Sequence, residues 1–266
     1  MPRRIALVLS NLRAEGGPAL AADLAAEWCA DAEPFALLLN DDDMTMRDRF
    51  DALGVPIVNA AVGLVTPRRY PAIALKMRTM LNAQNADALV SIPNGVHSAL
   101  FLGAAAAGVH RRVVHVGNYP WHWQADFWKY RFLMRAAAPV TPDLVCVTEY
   151  VAEGVRSHFG HVAKRVHVVP NGIDLAAFGY KGDPVPAPAP RVMMVARIDE
   201  GKDHASLIEA IAILRGRGVE ATLDIAGEGS LREALQAHVE RECLTQAIRF
   251  LGRRRDIPEL LRQVDV

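Results

Sequence analysis

The sequence predicts an α/β protein built from two doubly wound units, the second incomplete. Three observations carry this. Short apolar runs alternate with stretches of helical period, the pattern of parallel strands joined by crossover helices. A proline-rich, aperiodic break, YKGDPVPAPAP at Tyr180–Pro190, interrupts that alternation and should be extended and stiff. The alternation then restarts and runs to Val266. We therefore expect a first domain at 1–180, a linker at 181–190 and a partial second domain at 191–266.

Taken in order, Ile5–Leu9 is the first strand, and Ser10–Gly17 is a loop leading to a helix. Pro18 suits that helix's first turn, and Leu20, Leu24, Ala25 and Trp28 give it an apolar face. Phe35–Leu39 and Val55–Val58 are strands. Tyr70–Asn82 is a helix, with Ile73, Met77, Met80 and Leu81 on one side. Ala88–Ile92 is a strand broken by Pro93-Asn94-Gly95. Ser98–Ala107 is a helix of small residues, suited to close packing on a sheet, and Val113–Val116 is the next strand. NYPWHWQADFW, residues 118–128, holds three of the four tryptophans, and a helix should follow over Phe127–Arg135. Leu144–Val147 and Val166–Val169 are strands around a helix at Val151–Phe159. After the linker come strands at 192–196, 221–226 and 248–251, with helices at 202–215, 231–240 and 257–263. Val264-Asp265-Val266 reads as the opening of a further strand. Three parallel strands without a closing half make a poor core, so the second unit reads as cut off.

Composition excludes several classes. Lys plus Arg number 30 and Asp plus Glu 30 in 266 residues, which argues neither for nucleic acid nor for an acidic partner. The three cysteines, Cys29, Cys146 and Cys243, have no metal-ligand spacing. They are expected to be reduced thiols of a cytoplasmic protein. The first apolar run is too short for a signal peptide, and the longest, Ala99–Val109, cannot span a bilayer.

The chemistry concentrates on RVMMVARIDEGKDH, residues 191–204. A buried strand, a polar loop and a helix place Arg197 and Lys202 beside a helix N-terminus. Such an end offers unpaired N–H groups and a positive dipole, and two cations beside it suit a diphosphate. The same charges could instead pair on the surface with Asp199, Glu200 and Asp203, and the loop by itself does not choose. Gly16 and Gly17, between the first strand and its helix, would let a ligand approach the backbone or simply form a tight turn. Gly227-Glu228-Gly229 opens like a dinucleotide fingerprint, but Arg232 replaces its third glycine. The next strand ends in Gly252, where a ribose-binding acid belongs, so a nicotinamide or flavin cofactor is excluded. No G-x-S-x-G or H-E-x-x-H occurs, and the histidines form no metal pattern. His115 lies inside a strand and reads as a core residue, whereas His97 and His122 lie in strand-end loops.

Several stretches in order resemble one family. VVPNGIDLAAF (168–178), VARIDEGKDH (195–204), LDIAGEGSLREAL (223–235) and AIRFLGRRRDIPELLRQVDV (247–266) are similar to the retaining, nucleotide-sugar-dependent glycosyltransferases of family GT4. EGGPALAADLA (15–25) and LVCVTEYVAEGVRSHFG (144–160) resemble that family's glycine loop and its last N-domain strand and helix. The resemblance implies a GT-B fold, two Rossmann-like domains facing a cleft. It implies an enzyme that moves a sugar from a nucleoside-diphosphate sugar to a glycan, lipid-linked or small-molecule acceptor. By motif match, Arg197 and Lys202 would hold the diphosphate and stabilise it as it leaves. Gly16 and Gly17 would approach the donor phosphate, and Glu228, Gly252 and Arg253 would line the nucleotide pocket. No metal and no cofactor beyond the sugar nucleotide is implied. Where many members carry an acceptor-side histidine, this strand ends in Asn118, which can donate a hydrogen bond but not shuttle a proton. His97, Trp121 and His122 are the acceptor-side candidates. The family's paired-glutamate motif would begin just after Val266, which is why a C-terminally truncated chain is expected. The competing expectation is a non-catalytic remnant that binds a sugar nucleotide or a partner. Aromatics followed by Lys129, Arg131 and Arg135 also suggest peripheral contact with a membrane.

Overall fold

The computed structural model describes residues 2–92, 97–119, 128, 131–132, 135, 138–140, 143–160, 165–179, 182 and 187–266. They form two units, Met1–Gly172 and Ile173–Val266.

In the first unit, β1 (Arg3–Leu9), β2 (Ala32–Leu38), β3 (Ile57–Asn59), β4 (Ala88–Ser91), β5 (Arg111–Val116), β6 (Asp143–Cys146) and β7 (Val166–Val168) form one sheet. The order is β3-β2-β1-β4-β5-β6-β7, and every pairing is parallel. The helices are α1 (Gly16–Trp28), α2 (Arg47–Ala52), α3 (Tyr70–Ala83), α4 (His97–Ala106) and α5 (Glu149–Phe159). Residues along one strand feed alternate cores. Ala6, Val8, Phe35 and Leu37 pack with Ile73 and Met77 of α3, Phe101 of α4 and Val155 of α5. Leu7, Leu9, Ala36 and Leu38 pack with Ala21, Ala22 and Ala25 of α1 and Phe50 of α2. Helices on both faces explain why these strands read as unbroken apolar runs. Gly103 makes the contact of α4 with α3 possible, because a Cβ there would sit 2.5 Å from the Ala74 carbonyl oxygen and 2.7 Å from Met77 Cβ.

In the second unit, β8 (Arg191–Val195), β9 (Thr222–Ala226) and β10 (Ile248–Gly252) form a parallel sheet in the order β10-β9-β8. Its helices are α6 (His204–Gly216), α7 (Arg232–Arg241) and α8 (Ile257–Leu261). Ile208 and Ile211 of α6 and Leu235 and Val239 of α7 cover one face, against Leu223, Ile225 and Ile248. On the other face Asp224 is 8% exposed and takes two 2.7 Å hydrogen bonds from Arg249. Leu260 of α8 lines an open hollow with that pair. Residues 264–266 run along the edge of β8 away from β9: Met193 N–H donates to the Val266 carbonyl at 2.8 Å, and Asp265 N–H to that of Arg191 at 2.7 Å. The chain has thus crossed from the β10 side to the far side of β8. Both units are of the doubly wound α/β class that the sequence predicts.

Besides shifts of one to three residues at element ends and 3₁₀ turns at Pro67–Arg69 and Ala138–Val140, two helices differ from expectation. Helix α2 is absent from the sequence reading, because six residues with one buried side chain, Phe50, show no period. Helix α6 starts at His204 rather than at 202. Glu200–Lys202 is a separate 3₁₀ turn, and Asp203, left-handed at φ 51°, caps α6 by accepting from Ser206 N–H at 3.4 Å.

Candidate functional site

In open doubly wound sheets ligands bind beyond the carboxyl ends of the strands, where the strand order reverses. In the second unit that reversal is at β8, and the loop leaving β8 carries Arg197 and Lys202. Arg197 reaches Asp199, Nη1 to Oδ2 3.1 Å. Asp199 in turn accepts from Ser230 N–H at 3.4 Å, tying the β8 loop to the β9 loop. Lys202 is exposed and has no carboxylate partner among the described residues.

The glycines after β9 and β10 show why that cluster exists. Ile198, fully buried, exchanges backbone bonds with the β9 loop: its N–H donates to the Glu228 carbonyl at 3.0 Å, and its carbonyl accepts from Leu231 N–H at 3.1 Å. A Cβ on Gly227 would lie 1.9 Å from the Ala196 carbonyl oxygen, and one on Gly229 2.3 Å from that of Ile198. Only residues without a side chain let the two loops touch. Gly227 N–H also donates to the Gly252 carbonyl at 2.9 Å, bringing in the third loop. Gly252, at φ 69°, faces Glu228, whose carboxylate is held by Arg232. Arg253 follows on the exposed side, and Arg254 is bound to Asp256, whose acidity that guanidinium increases. The structure therefore brings Arg197, Lys202, Glu228, Gly252 and Arg253 onto adjoining loops at one end of one sheet.

His204, one residue inside α6, went unremarked in the sequence beyond its place in a motif. It is 2% exposed, and neither ring nitrogen has a hydrogen-bond partner. Burial lowers its pKa, opposed by the nearby carboxylates of Asp199 and Asp203.

In the first unit the reversal lies between β1 and β4. Gly16 and Gly17 open α1 there, and no side chain caps that helix. A Cβ on Gly16 would meet only open space, and one on Gly17 would come 3.2 Å from Ile92 at the end of β4. Asn118 is exposed beyond β5. His115 is half-buried rather than part of the core, with Nε2 3.0 Å from Asn171 Oδ1. His97 is enclosed: 3% exposed, Nδ1 2.9 Å from Ser91 Oγ, its ring stacked on Phe101 at 5.9 Å. Burial first, and His115 second, lower its pKa to about 4, so it is neutral at pH 7. Trp121 and His122 lie outside the described residues. No group of three or more His, Cys, Asp or Glu side chains suited to a metal occurs among the described residues.

With this geometry in hand, comparison decides the family. A model of Glycosyltransferase Family 4 matches residues 17–177, and one of Glycosyl transferases group 1 matches 189–266. The chain belongs to glycosyltransferase family 4. The chain is 32% identical over 178 residues to the putative glycosyltransferase EpsF of Bacillus subtilis, 62% of this chain and 46% of that protein. It is 32% identical over 123 residues to a Campylobacter jejuni N-acetylgalactosamine-N,N'-diacetylbacillosaminyl-diphospho-undecaprenol 4-alpha-N-acetylgalactosaminyltransferase, 46% of this chain and 33% of that one. The chain thus spans less than half the length of these curated relatives. Its fold matches that of Anabaena HepE, solved with UDP and glucose, at a TM-score of 0.76 and 15% identity over 100% of this chain and 73% of that one. A glycosyltransferase from Rickettsia africae matches at 0.72 and 14%, over 97% and 70%.

Proposed function

We propose that this family-4 chain serves transfer of a sugar, with retention, from a nucleoside-diphosphate sugar to a glycan, lipid-linked or small-molecule acceptor in the cytoplasm. The observation that carries the reading is the three-loop cluster at the reversal beside β8. There Gly227 and Gly229 let the loops meet, and Arg197 and Lys202 stand where a diphosphate would meet the N-terminus of α6. In this reading Arg197 grips the phosphates with its planar fork and Lys202 supplies a point charge. Both gain importance as the leaving diphosphate gathers charge. Asp199 holds Arg197 until the ligand arrives. Glu228, Gly252 and Arg253 take the nucleoside. In the first unit, Gly16 and Gly17 expose backbone to the donor phosphate, and Asn118 donates a hydrogen bond to the reacting sugar. His97, Trp121 and His122 serve the acceptor side, His97 from its enclosed position through Ser91. HepE's complex with UDP supports the class of donor, and the Campylobacter enzyme's diphospho-undecaprenol substrate supports a lipid-linked acceptor.

The test is calorimetric titration of UDP and other nucleoside diphosphates into the 266-residue chain and its Arg197→Ala and Lys202→Ala variants. A charge-assisted contact contributes about 1.5–3 kcal/mol, so each variant should bind roughly 10- to 150-fold more weakly with its unfolding unchanged. Equal affinities in all three proteins would leave Arg197 a surface partner of Asp199 and remove the donor site.

A further inference from the structure

Among the described residues two histidines are buried, each at the first position of a helix, and only one is satisfied. His97, opening α4, bonds to Ser91 through Nδ1. His204, opening α6, is 2% exposed and has no hydrogen-bond partner on either ring nitrogen among the described residues. Buried polar groups normally find at least one partner, so His204 is the exception. A helical side chain leans back toward the helix N-terminus, here the end proposed above to meet a diphosphate. The charged groups on the turn before it are Arg197, Asp199, Glu200, Lys202 and Asp203. On the β9 loop packed against that turn they are Glu228 and Arg232, which bind each other. Asp199 and Asp203 favour the charged ring, but neither is bonded to it. Asp199 pairs with Arg197 and Ser230, and Asp203 caps α6 through Ser206.

We propose that His204 takes up a proton when a nucleoside diphosphate binds at the N-terminus of α6, adding a third cation behind Arg197 and Lys202. The inference rests on the donor site proposed above. Before the ligand arrives, burial and the positive end of the α6 dipole keep the ring neutral. A bound diphosphate reverses the sign of the field there. It also draws Arg197 away from Asp199, whose carboxylate then turns to the imidazolium. Both changes favour the charged ring, which has two N–H donors where the neutral ring has one. The proton comes from solvent and lands on the ring nitrogen that carries the lone pair, and no covalent bond of the protein breaks. His204 touches no reacting atom in this account and is a positioning residue. A third permanent cation would repel Arg197 and Lys202 at all times, whereas a histidine adds its charge only when an anion is there to balance it.

The test is calorimetric titration of UDP into the 266-residue chain and its His204→Gln variant, in pairs of buffers that differ in ionisation enthalpy. The dependence of the measured heat on the buffer counts the protons taken up. Wild type should take up more than the variant, by a fraction of one proton. Because the ligand favours the protonated ring, wild-type binding should tighten relative to H204Q as pH falls. The ratio of the two affinities should grow roughly tenfold from about pH 8 to about pH 6, the effect of one opposite charge close by. The terminal phosphate of UDP also titrates in this range, and comparing the two proteins removes its contribution. Should H204Q misfold, nitrogen-15 NMR of the histidine rings of wild type decides instead, since one ring of the second unit should change from neutral to imidazolium as UDP is added near pH 7. UDP binding that R197A and K202A weaken, with equal proton uptake and parallel pH profiles in wild type and H204Q, would overturn this inference and leave the donor site standing. So would a loss in H204Q that is the same at every pH, which marks a packing role alone, or a ring that stays neutral in the NMR titration. Failure of wild type to bind UDP at all would overturn both readings.

Discussion

His97 should make the first unit acid-sensitive by an amount that can be worked out. Its pKa is lowered from 6.5 to about 4, chiefly because the ring is sealed against Phe101 and Ser91. The native state therefore refuses a proton that the unfolded chain accepts below pH 6.5. At pH 7 both states are neutral and nothing is lost. As pH falls from 6.5 to 4 only the unfolded state gains, at ~1.36 kcal/mol per pH unit, so about 3 kcal/mol of stability disappears by pH 4. His97→Gln keeps an amide that can still bond to Ser91 and removes the titration. The variant should be less stable than wild type at pH 7 by about 1–3 kcal/mol, the cost of a disturbed buried hydrogen bond. That deficit should shrink, and reach zero or reverse, by pH 4. All four tryptophans, Trp28, Trp121, Trp123 and Trp128, lie in the first unit, so tryptophan fluorescence during urea unfolding follows that unit alone. Comparing the two proteins at each pH cancels the histidines that do not act on His97, and His115, the one that does, is the lesser cause of its lowered pKa. A stability difference that does not change between pH 7 and pH 4, or an NMR titration of His97 near 6.5, would refute the argument.

Gly227→Ala should cost at least about 3 kcal/mol and weaken nucleoside-diphosphate binding, because its Cβ would fall 1.9 Å from the Ala196 carbonyl oxygen and push the β8 and β9 loops apart. Gly201→Ala, in the same site with nothing within 4 Å, should stay within about 0.5 kcal/mol of wild type in thermal unfolding. The Asp224–Arg249 pair should be asymmetric. Arg249→Ala strands a carboxylate that is 8% exposed and should cost about 1–3 kcal/mol, whereas Asp224→Asn leaves a guanidinium that is 64% exposed and should cost less. Circular dichroism melts of both variants decide this, and equal losses would show that the buried carboxylate does not depend on Arg249 for its pairing.

What was legible in the sequence follows from which interactions are local. The alternation of elements was readable because a parallel sheet covered on both faces needs every strand residue to be apolar, as in Ala6-Leu7-Val8-Leu9, where alternate side chains enter different cores. The positions of Arg197 and Lys202 on one loop were readable for the same reason, since a strand end and a helix start bound that loop. The true start of α6 was not, because a left-handed Asp203 is a conformational choice that the residues around it do not announce. Nor was the state of His97. From the sequence it is a histidine after a Pro-Asn-Gly break, and only α4 packing against the sheet encloses it. The glycines after β9 are the clearest case. Read locally, Gly227-Glu228-Gly229 is an incomplete dinucleotide fingerprint, which suggests backbone opened toward a ligand. The structure gives it a different cause: Gly227 and Gly229 are bare because the carbonyls of Ala196 and Ile198 occupy the space where side chains would be. The loop that carries Arg197 is thereby held against the loop that carries Glu228. A motif whose spacing failed the cofactor test thus contributes to the candidate donor site by fixing the distance between two other loops, a role that exists only once both strands are side by side.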